Sequence, residues 1–277
     1  MPSAHVDSLS SRPISTAQPN PLVPPGPAPA SAASAPLSPQ AEFAWLRWLA
    51  GRFIVLDGPD GSGKSTQFKR LCELARAAGQ PVCDVREPGG TEVGERVRAI
   101  LLDPVHDEMT VRCEMLLYMA SRAQLCHQRI APAIARGELV LADRFISSTL
   151  AYQGAAGGLP REEIVAVGKA ACAGVEPDLV VIFDVDEKTA AQRLAGAPAK
   201  SSRRRGAPTP GGGLASSLFA DRMERKGDDF RARVREGYLS QVREWPDRYA
   251  LIDGGREADQ VSQELLATLQ RRLARPS

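Results

Sequence analysis

The stretch "RFIVLDGPDGSGKSTQFKRL" at residues 52–71 constrains the fold of this chain more than any other. Phe53 to Leu56 are apolar, and their length, aromatic and β-branched content read as a buried strand. Gly58, Gly61 and Gly63 follow at once, and a helical pattern begins at Lys64. Glycine lets a backbone turn tightly and come close to a ligand. The run fits G-x-x-x-x-G-K-[ST], with Gly58, Gly63, Lys64 and Ser65 at the fixed positions. Backbone N–H groups of such a loop, and of the helix behind it, surround phosphate oxygens. Lys64 can reach the terminal phosphates, and the Ser65 hydroxyl can take a place on Mg²⁺. A Gly-rich turn with no ligand would not need this complete spacing between strand and helix. The ligand implied is a nucleoside triphosphate.

The rest of the chain repeats the same rhythm. "PVCDV", "ELVLAD", "PDLVVIFDV" and "YALIDG" are further apolar runs of strand length, separated by helical patterns. Near-continuous apolar strands alternating with helices predict a parallel sheet covered on both faces. In the helix after the loop, Phe68, Leu71 and Leu74 share a face, and Gly79 marks its stop. "CEMLLYMASRAQLCHQRIAPAIARG" reads as one long helical stretch kinked at Pro132. The fold class expected is α/β, a P-loop NTPase-type sheet of about five strands flanked by helices, with a mobile lid.

Composition bounds the rest. Residues 1–40 are rich in Pro, Ala and Ser, with few large apolar side chains, and read as a disordered tail. Residues 41–50 read as a short helical lead-in, whose Trp45 and Trp48 are expected to cover one apolar face. Residues 51–277 form the domain, interrupted at 196–217 by "GAPAKSSRRRGAPTPGGGLASS", a run too long for an ordinary connection. The net charge of +2 argues for neither nucleic acid nor a membrane surface. No apolar stretch approaches the roughly 20 residues that a membrane span needs. The five cysteines form no CxxC pair, so a reducing compartment, the cytoplasm, is expected. His5, His106 and His127 are too scattered for a metal cluster, and adjacency of Cys126 and His127 is not a nucleophile–base geometry.

A phosphate loop alone does not settle the reaction. A guanine switch would carry Asn-Lys-x-Asp, but Asn20 in the tail is the only asparagine, and no LSGGQ-type transporter signature is present. A kinase for a phosphorylated acceptor needs instead a second set of cations facing the loop. Arg86 and Arg98 in "REPGGTEVGERVR" supply candidates, as do Asp143 and Arg144 at the end of a buried strand. Ligands bind open α/β sheets at that edge. Both reactants are then anionic, so positioning and charge neutralisation carry most of the catalysis.

Residues 51 to about 272 resemble the thymidylate kinase family of P-loop nucleoside monophosphate kinases. The motifs "GPDGSGKS", "REPGGT", "EMLLYMASRAQL", "LADRFISSTLAYQG", "PDLVVIFDV" and "DRMERKGDDFRARVREGY" carry the resemblance in order. It implies transfer of phosphate from ATP to dTMP, assisted by Mg²⁺, usually in a homodimer. By position, Gly58, Pro59, Asp60, Gly61, Ser62, Gly63, Lys64, Ser65 and Thr66 would hold the ATP phosphates. Asp60 would also meet the acceptor 3′-hydroxyl, and Arg86 and Glu87 would border the sugar-phosphate and Mg²⁺. Arg98 and Arg144 would grip the dTMP phosphate, and Tyr118 would stack on thymine. Arg122 and Gln153 would hydrogen-bond its edge, with Ser148 and Thr149 nearby. The bulk of Tyr152 would disfavour a 2′-hydroxyl. The resemblance thus makes Lys64, Asp60, Asp143, Arg144 and Arg222 the catalytic set, and Ser65, Glu87 and Asp143 the residues toward Mg²⁺.

The resemblance weakens at the lid. Pro59, Asp60 and Ser62 are not basic, so the lid should supply arginines. Arg222 matches its motif, whereas Arg203 to Arg205 have no counterpart and read as a solvated basic linker. Two rival readings remain: a kinase for another small acceptor such as a deoxynucleoside, and a nucleotide-binding regulator without turnover. For the tail, nothing in residues 1–40 has the side chains to pack. Their deletion should leave both the melting temperature and turnover nearly unchanged, as thermal unfolding and a kinase assay would register.

Overall fold

The computed structural model describes residues 43–196 and 227–273. The apolar runs form five strands: β1 Phe53–Asp57, β2 Val82–Arg86, β3 Leu139–Asp143, β4 Leu179–Asp184 and β5 Tyr249–Asp253. They lie in the order β2-β3-β1-β4-β5, and every pairing is parallel. The helices are α1 Lys64–Ala77, α2 Glu92–Leu102, α3 Val111–Leu125, α4 Ala131–Ala135, α5 Ile146–Thr149, α6 Arg161–Cys172, α7 Glu187–Ala195, α8 Asp228–Glu244 and α9 Ala258–Leu273. The α/β class and the parallel sheet agree with the sequence.

Strand side chains alternate between faces, and both faces here are buried. Phe53 and Val55 pack with Val140, Ala142, Val180 and Ile182 on one face, beneath Leu125 of α3 and Val234 and Tyr238 of α8. Ile54 and Leu56 pack with Leu141, Val181 and Phe183 on the other, beneath Leu71 of α1 and Leu265 and Leu269 of α9. Because all five strands run the same way, their carboxyl ends share one edge. Asp57, Arg86, Asp143 and Asp184 stand there in four neighbouring strands.

Two local expectations gain detail from the structure. The long helical stretch is not one regular helix: its α-helical part ends at Leu125, and Cys126–Ile130 is a π turn just before α4, which carries Pro132. Proline has no N–H and its ring crowds the carbonyl four residues back, Gln128, so the disturbance falls in the preceding turn. The second is a correction and concerns the lead-in, a 3₁₀ helix at Ala44–Leu49. Three residues per turn put Leu46 and Leu49 on one face, and both are fully buried. Trp45 packs beside them, but Trp48 is 53% exposed. Arg47 Nε donates to the Ala78 carbonyl at 2.6 Å, fastening the segment to the end of α1.

The tail 1–40 lies outside the described residues, as do Arg203 to Arg205, Arg222 and all of the lid insertion after Gly196. None of the described helices is long and apolar enough to cross a membrane. The lead-in gives a direct test. Leu49→Ala should cost about 2–5 kcal/mol in urea unfolding, the range for a truncated core leucine. Trp48→Ala should cost far less, and removing residues 1–50 should lower the melting temperature where removing 1–40 does not.

Candidate active site

The loop after β1 has the shape its glycines allow. Gly58 has φ +143°, and a Cβ there would lie 2.4 Å from the Phe183 carbonyl oxygen. Gly61 has φ +81°, with a Cβ placed 2.7 Å from the Ala190 carbonyl oxygen. Only glycine fits either place. Gly63 is left-handed at φ +84° and starts α1, whose first turn has no side-chain cap. The Thr66 and Gln67 N–H groups bond the Gly63 carbonyl at 3.1 and 3.3 Å, and the N–H groups at such a helix start face the loop. Lys64 is buried and stands 3.9 Å from Asp60, while Ser65 and Thr66 are exposed.

Across from the loop, Arg144 leaves β3 at φ +73°, a left-handed conformation costly for an arginine. Its N–H bonds the Leu56 carbonyl at 3.1 Å, and its side chain turns toward β1. Nη2 donates to Asp60 at 2.5 Å. Nη1 lies 3.0 Å from both Ser148 Oγ and Tyr238 Oη, 3.3 Å from the Gly58 carbonyl and 3.4 Å from Asp57. Asp57 is fully buried and accepts from the Gly58 N–H, Ser147, Ser148 and Tyr238 at 2.6–3.0 Å. Burial lowers the proton affinity of Arg144. Tyr152, Asp60, Tyr238 and Asp57 outweigh it, so Arg144 is held well above its usual range.

The second pair of cations is in the opposite condition. Arg98 on α2 donates to the Pro88 carbonyl at 2.7 Å, as Arg86 does at 3.2 Å. Arg86 also forms a forked pair with Glu95 at 2.9 and 3.0 Å. Burial, and then the nearby charge of Arg86, push Arg98 down to about 10. Two guanidinium groups on one carbonyl lack a full complement of negative charge. An incoming phosphate would supply it.

Arg122 of α3 and Glu87, just after β2, make a buried pair. Nε of Arg122 donates to both Glu87 oxygens, at 3.1 and 2.8 Å, and Nη2 adds a bond of 2.5 Å. Nη1 reaches Thr149 Oγ1 at 3.3 Å and Met119 Sδ at 3.0 Å. Met115, Tyr118, Arg122 and Leu125 all face inward on α3. Both oxygens of Glu87 thus meet Arg122. Burial pushes Glu87 up to about 7 even though Arg122 pulls it down. Tyr118 is buried, and its hydroxyl has no hydrogen-bond partner among the described residues. Tyr152 and Gln153 lie on a π turn, Leu150–Ala156, a distortion common at functional sites. The Arg144 guanidinium sits 5.4 Å over the Tyr152 ring.

Asp143 keeps one buried oxygen with no partner among the described residues. An orphaned carboxylate oxygen at this edge suits a hard cation, and Ser65 offers a second oxygen. Among the described residues, no cluster of three or more His, Cys, Asp and Glu can hold a metal, so most oxygens on Mg²⁺ would have to come from phosphates and water.

The structure adds residues that the sequence did not single out. Asp57 is the hub of the Arg144 network, and it had one signal, an acid closing an otherwise apolar strand. Tyr238 stands 181 residues away from Asp57 and had none. Arg193 on α7 donates to the Gly61 and Gly254 carbonyls at 3.4 and 2.7 Å, joining the loop to the turn after β5. Arg235 on α8 grips Asp184 through two bonds of 2.7 Å.

A phosphate cradle at the carboxyl edge of a parallel sheet, faced by a second group of arginines, defines a P-loop kinase for an anionic acceptor. The family model for thymidylate kinase matches residues 56–207. A thymidylate kinase of Pelotomaculum thermopropionicum is 43% identical over 218 residues, which cover 79% of this chain and 92% of that protein. The thymidylate kinase of Deinococcus radiodurans is 40% identical over 222 residues, covering 80% and 98%. The crystal structure of an Ehrlichia chaffeensis thymidylate kinase superposes with a TM-score of 0.59 at 28% identity, covering 79% of this chain and 98% of that one. The chain belongs to the thymidylate kinase family.

The Glu87–Arg122 pair has a pH signature. The folded value of Glu87, about 7, lies above its ordinary 4.5, so its contribution to stability is full below about 4.5 and is lost as pH rises through 7. Urea unfolding between pH 5 and 8 should show this decline, and Glu87→Gln should remove that part of the slope. Arg122→Ala, which strands a buried carboxylate, should cost about 3–5 kcal/mol.

Proposed function

We propose that the described site divides the reaction ATP + dTMP → ADP + dTDP between two facing groups of side chains. The observation that carries this reading is the pairing of a complete phosphate loop with Arg98, a half-buried cation that meets the Pro88 carbonyl alongside Arg86. Gly58 to Thr66 hold the ATP phosphates, with Lys64 on the terminal ones. Arg98 and Arg144 take the acceptor phosphate, and Arg86 steadies the turn between them through Glu95. No strong base is needed, because the acceptor phosphate is already ionised. Arg144 and Lys64 bracket Asp60, so the three set the distance between donor and acceptor.

Mg²⁺ would be held by Ser65 and Asp143 together with ATP oxygens, and it would neutralise charge on the phosphates. Glu87 acts instead as the carboxylate that fixes Arg122. Arg122 can only donate, which suits a thymine carbonyl and not the amino group of cytosine. Gln153 can both donate and accept, as the N–H and a carbonyl of thymine require. Tyr118 lies beneath the base, and Tyr152, stacked edge-to-face on Tyr238, limits space for a 2′-hydroxyl.

We infer a homodimer as well. Val93 and Ile100 on α2 and Leu116 on α3 are 43–50% exposed on two helices that pack together, an apolar surface that suits a second copy. Five free cysteines fit a cytoplasmic protein.

An ADP-release assay across acceptors tests the assignment. Turnover should be high with dTMP, lower with dUMP through the lost methyl contact, and far lower with dCMP. Thymidine should fail, since it brings no phosphate to Arg98. Lys64→Ala should lower kcat by about 10²–10³ with the fold retained, the range for losing one preorganised donor. Equal use of dCMP or AMP would end the thymidylate assignment, and near-normal turnover by Lys64→Ala would end the phosphate-loop reading.

A further inference from the structure

The Tyr238 ring supports Tyr152, and its hydroxyl lies within 3.0 Å of three further groups of the site: Asp57, Ser148 and Arg144. We propose that Tyr238 is a positioning residue for phosphoryl transfer, whose hydroxyl holds the Arg144 guanidinium in the orientation that meets the acceptor phosphate. The inference rests on Arg144 being one of the acceptor-phosphate cations.

The direction of the hydrogen bonds carries the argument. Asp57 gathers N–H and O–H donors from every side and acts as an acceptor, so the Tyr238 hydroxyl gives its hydrogen to it at 2.8 Å. That leaves a lone pair of the phenol oxygen to receive Arg144 Nη1 at 3.0 Å. Nη1 carries two hydrogens, and its nearest acceptors are Tyr238 and Ser148, each at 3.0 Å. Asp57 itself lies farther off, at 3.4 Å. Without the phenol oxygen, the strongest remaining attraction on Nη1 is the full charge of Asp57. The guanidinium would then settle toward the end of β1 and away from the acceptor. Its backbone is held to β1 by the N–H bond to the Leu56 carbonyl at 3.1 Å, but that bond leaves the side chain free to turn.

The helix that carries Tyr238 is placed firmly enough to perform this role. Gly237 lets α8 come close to the π turn, since a Cβ there would lie 2.7 Å from Ala151's neighbour on that turn, the Ala155 Cβ. Gln241 donates to the Ser147 carbonyl at 3.1 Å. Arg235 clamps Asp184 at the end of β4. The Tyr238 ring packs edge-to-face on Tyr152 at 6.2 Å, and Tyr152 in turn lies under Arg144. One helix face thus addresses the ends of β1, β3 and β4 together.

Tyr238→Phe isolates the hydroxyl. The ring contact with Tyr152 is kept, and Asp57 retains the Gly58 N–H, Ser147 and Ser148, so no buried group is stranded. Wild type, Tyr238→Phe, Arg144→Lys and the double variant would be compared by steady-state kinetics with ATP and dTMP, and by thermal unfolding. The expected result is a fall of roughly tenfold in kcat for Tyr238→Phe, about one hydrogen bond's worth. KM for ATP and the melting temperature should stay near wild type. In the Arg144→Lys background, Tyr238→Phe should have little further effect, because a residue acting through another is non-additive with it. An equal fold-loss in both backgrounds would overturn the proposal. So would normal kcat in Tyr238→Phe, or a loss that merely follows a lowered melting temperature. Failure of the underlying kinase reading looks different: wild type itself would then release no ADP with dTMP, and the proposal would fall with it.

Discussion

Arg144 in its buried setting is the contact on which the rest of the site depends. It links the end of β3 to Asp57 at the end of β1, to Asp60 in the phosphate loop and to Tyr238 on α8. A guanidinium removed from water is tolerable only where acids and hydrogen bonds replace its hydration. Here two carboxylates and two hydroxyls do so. The same contacts settle which way the guanidinium faces. Stability and orientation of Arg144 therefore share one set of side chains.

The arginines differ in how well their charge is matched. Arg144 is surrounded by acids and phenols, whereas Arg98 and Arg86 crowd one carbonyl with Glu95 as the nearby acid. In the proposed function, a dianionic acceptor would gain most at the under-matched pair and be oriented by the well-matched one. This asymmetry separates affinity from alignment, and alignment is what a reaction between two anions requires. The Glu87–Arg122 pair adds a third condition: the cation proposed to read the base is fixed by a carboxylate that burial has already pushed up.

Much was legible in the chain before any coordinates. The strand periodicity predicted a parallel sheet, and the spacing from Gly58 to Ser65 predicted the phosphate cradle, because loop and helix start are contiguous in sequence. Arg86 and Arg144 were visible as cations at strand ends. Trp48 was misjudged because a 3₁₀ turn buries Leu46 and Leu49 and leaves Trp48 outside. The turn before Pro132 is π-helical, where the missing proline N–H is felt. The pairing of Glu87 with Arg122 could not be read either, since the two lie 35 residues apart and Arg122 is on a helix.

The sequence by itself determined the fold class, the phosphate loop and the kind of chemistry, since each depends on neighbours along the chain. Periodicity, glycine placement and a helix N-terminus are local properties, and local rules govern them. Tertiary structure alone decided which acid pairs with which arginine, that Asp57 is a hub and that Tyr238 reaches it across 181 residues. Those choices depend on how α8 packs over the sheet edge, where Gly237 permits close approach and Arg235 finds Asp184. Pairing over such separations follows from the summed packing of both sheet faces, and no short stretch of residues contains it.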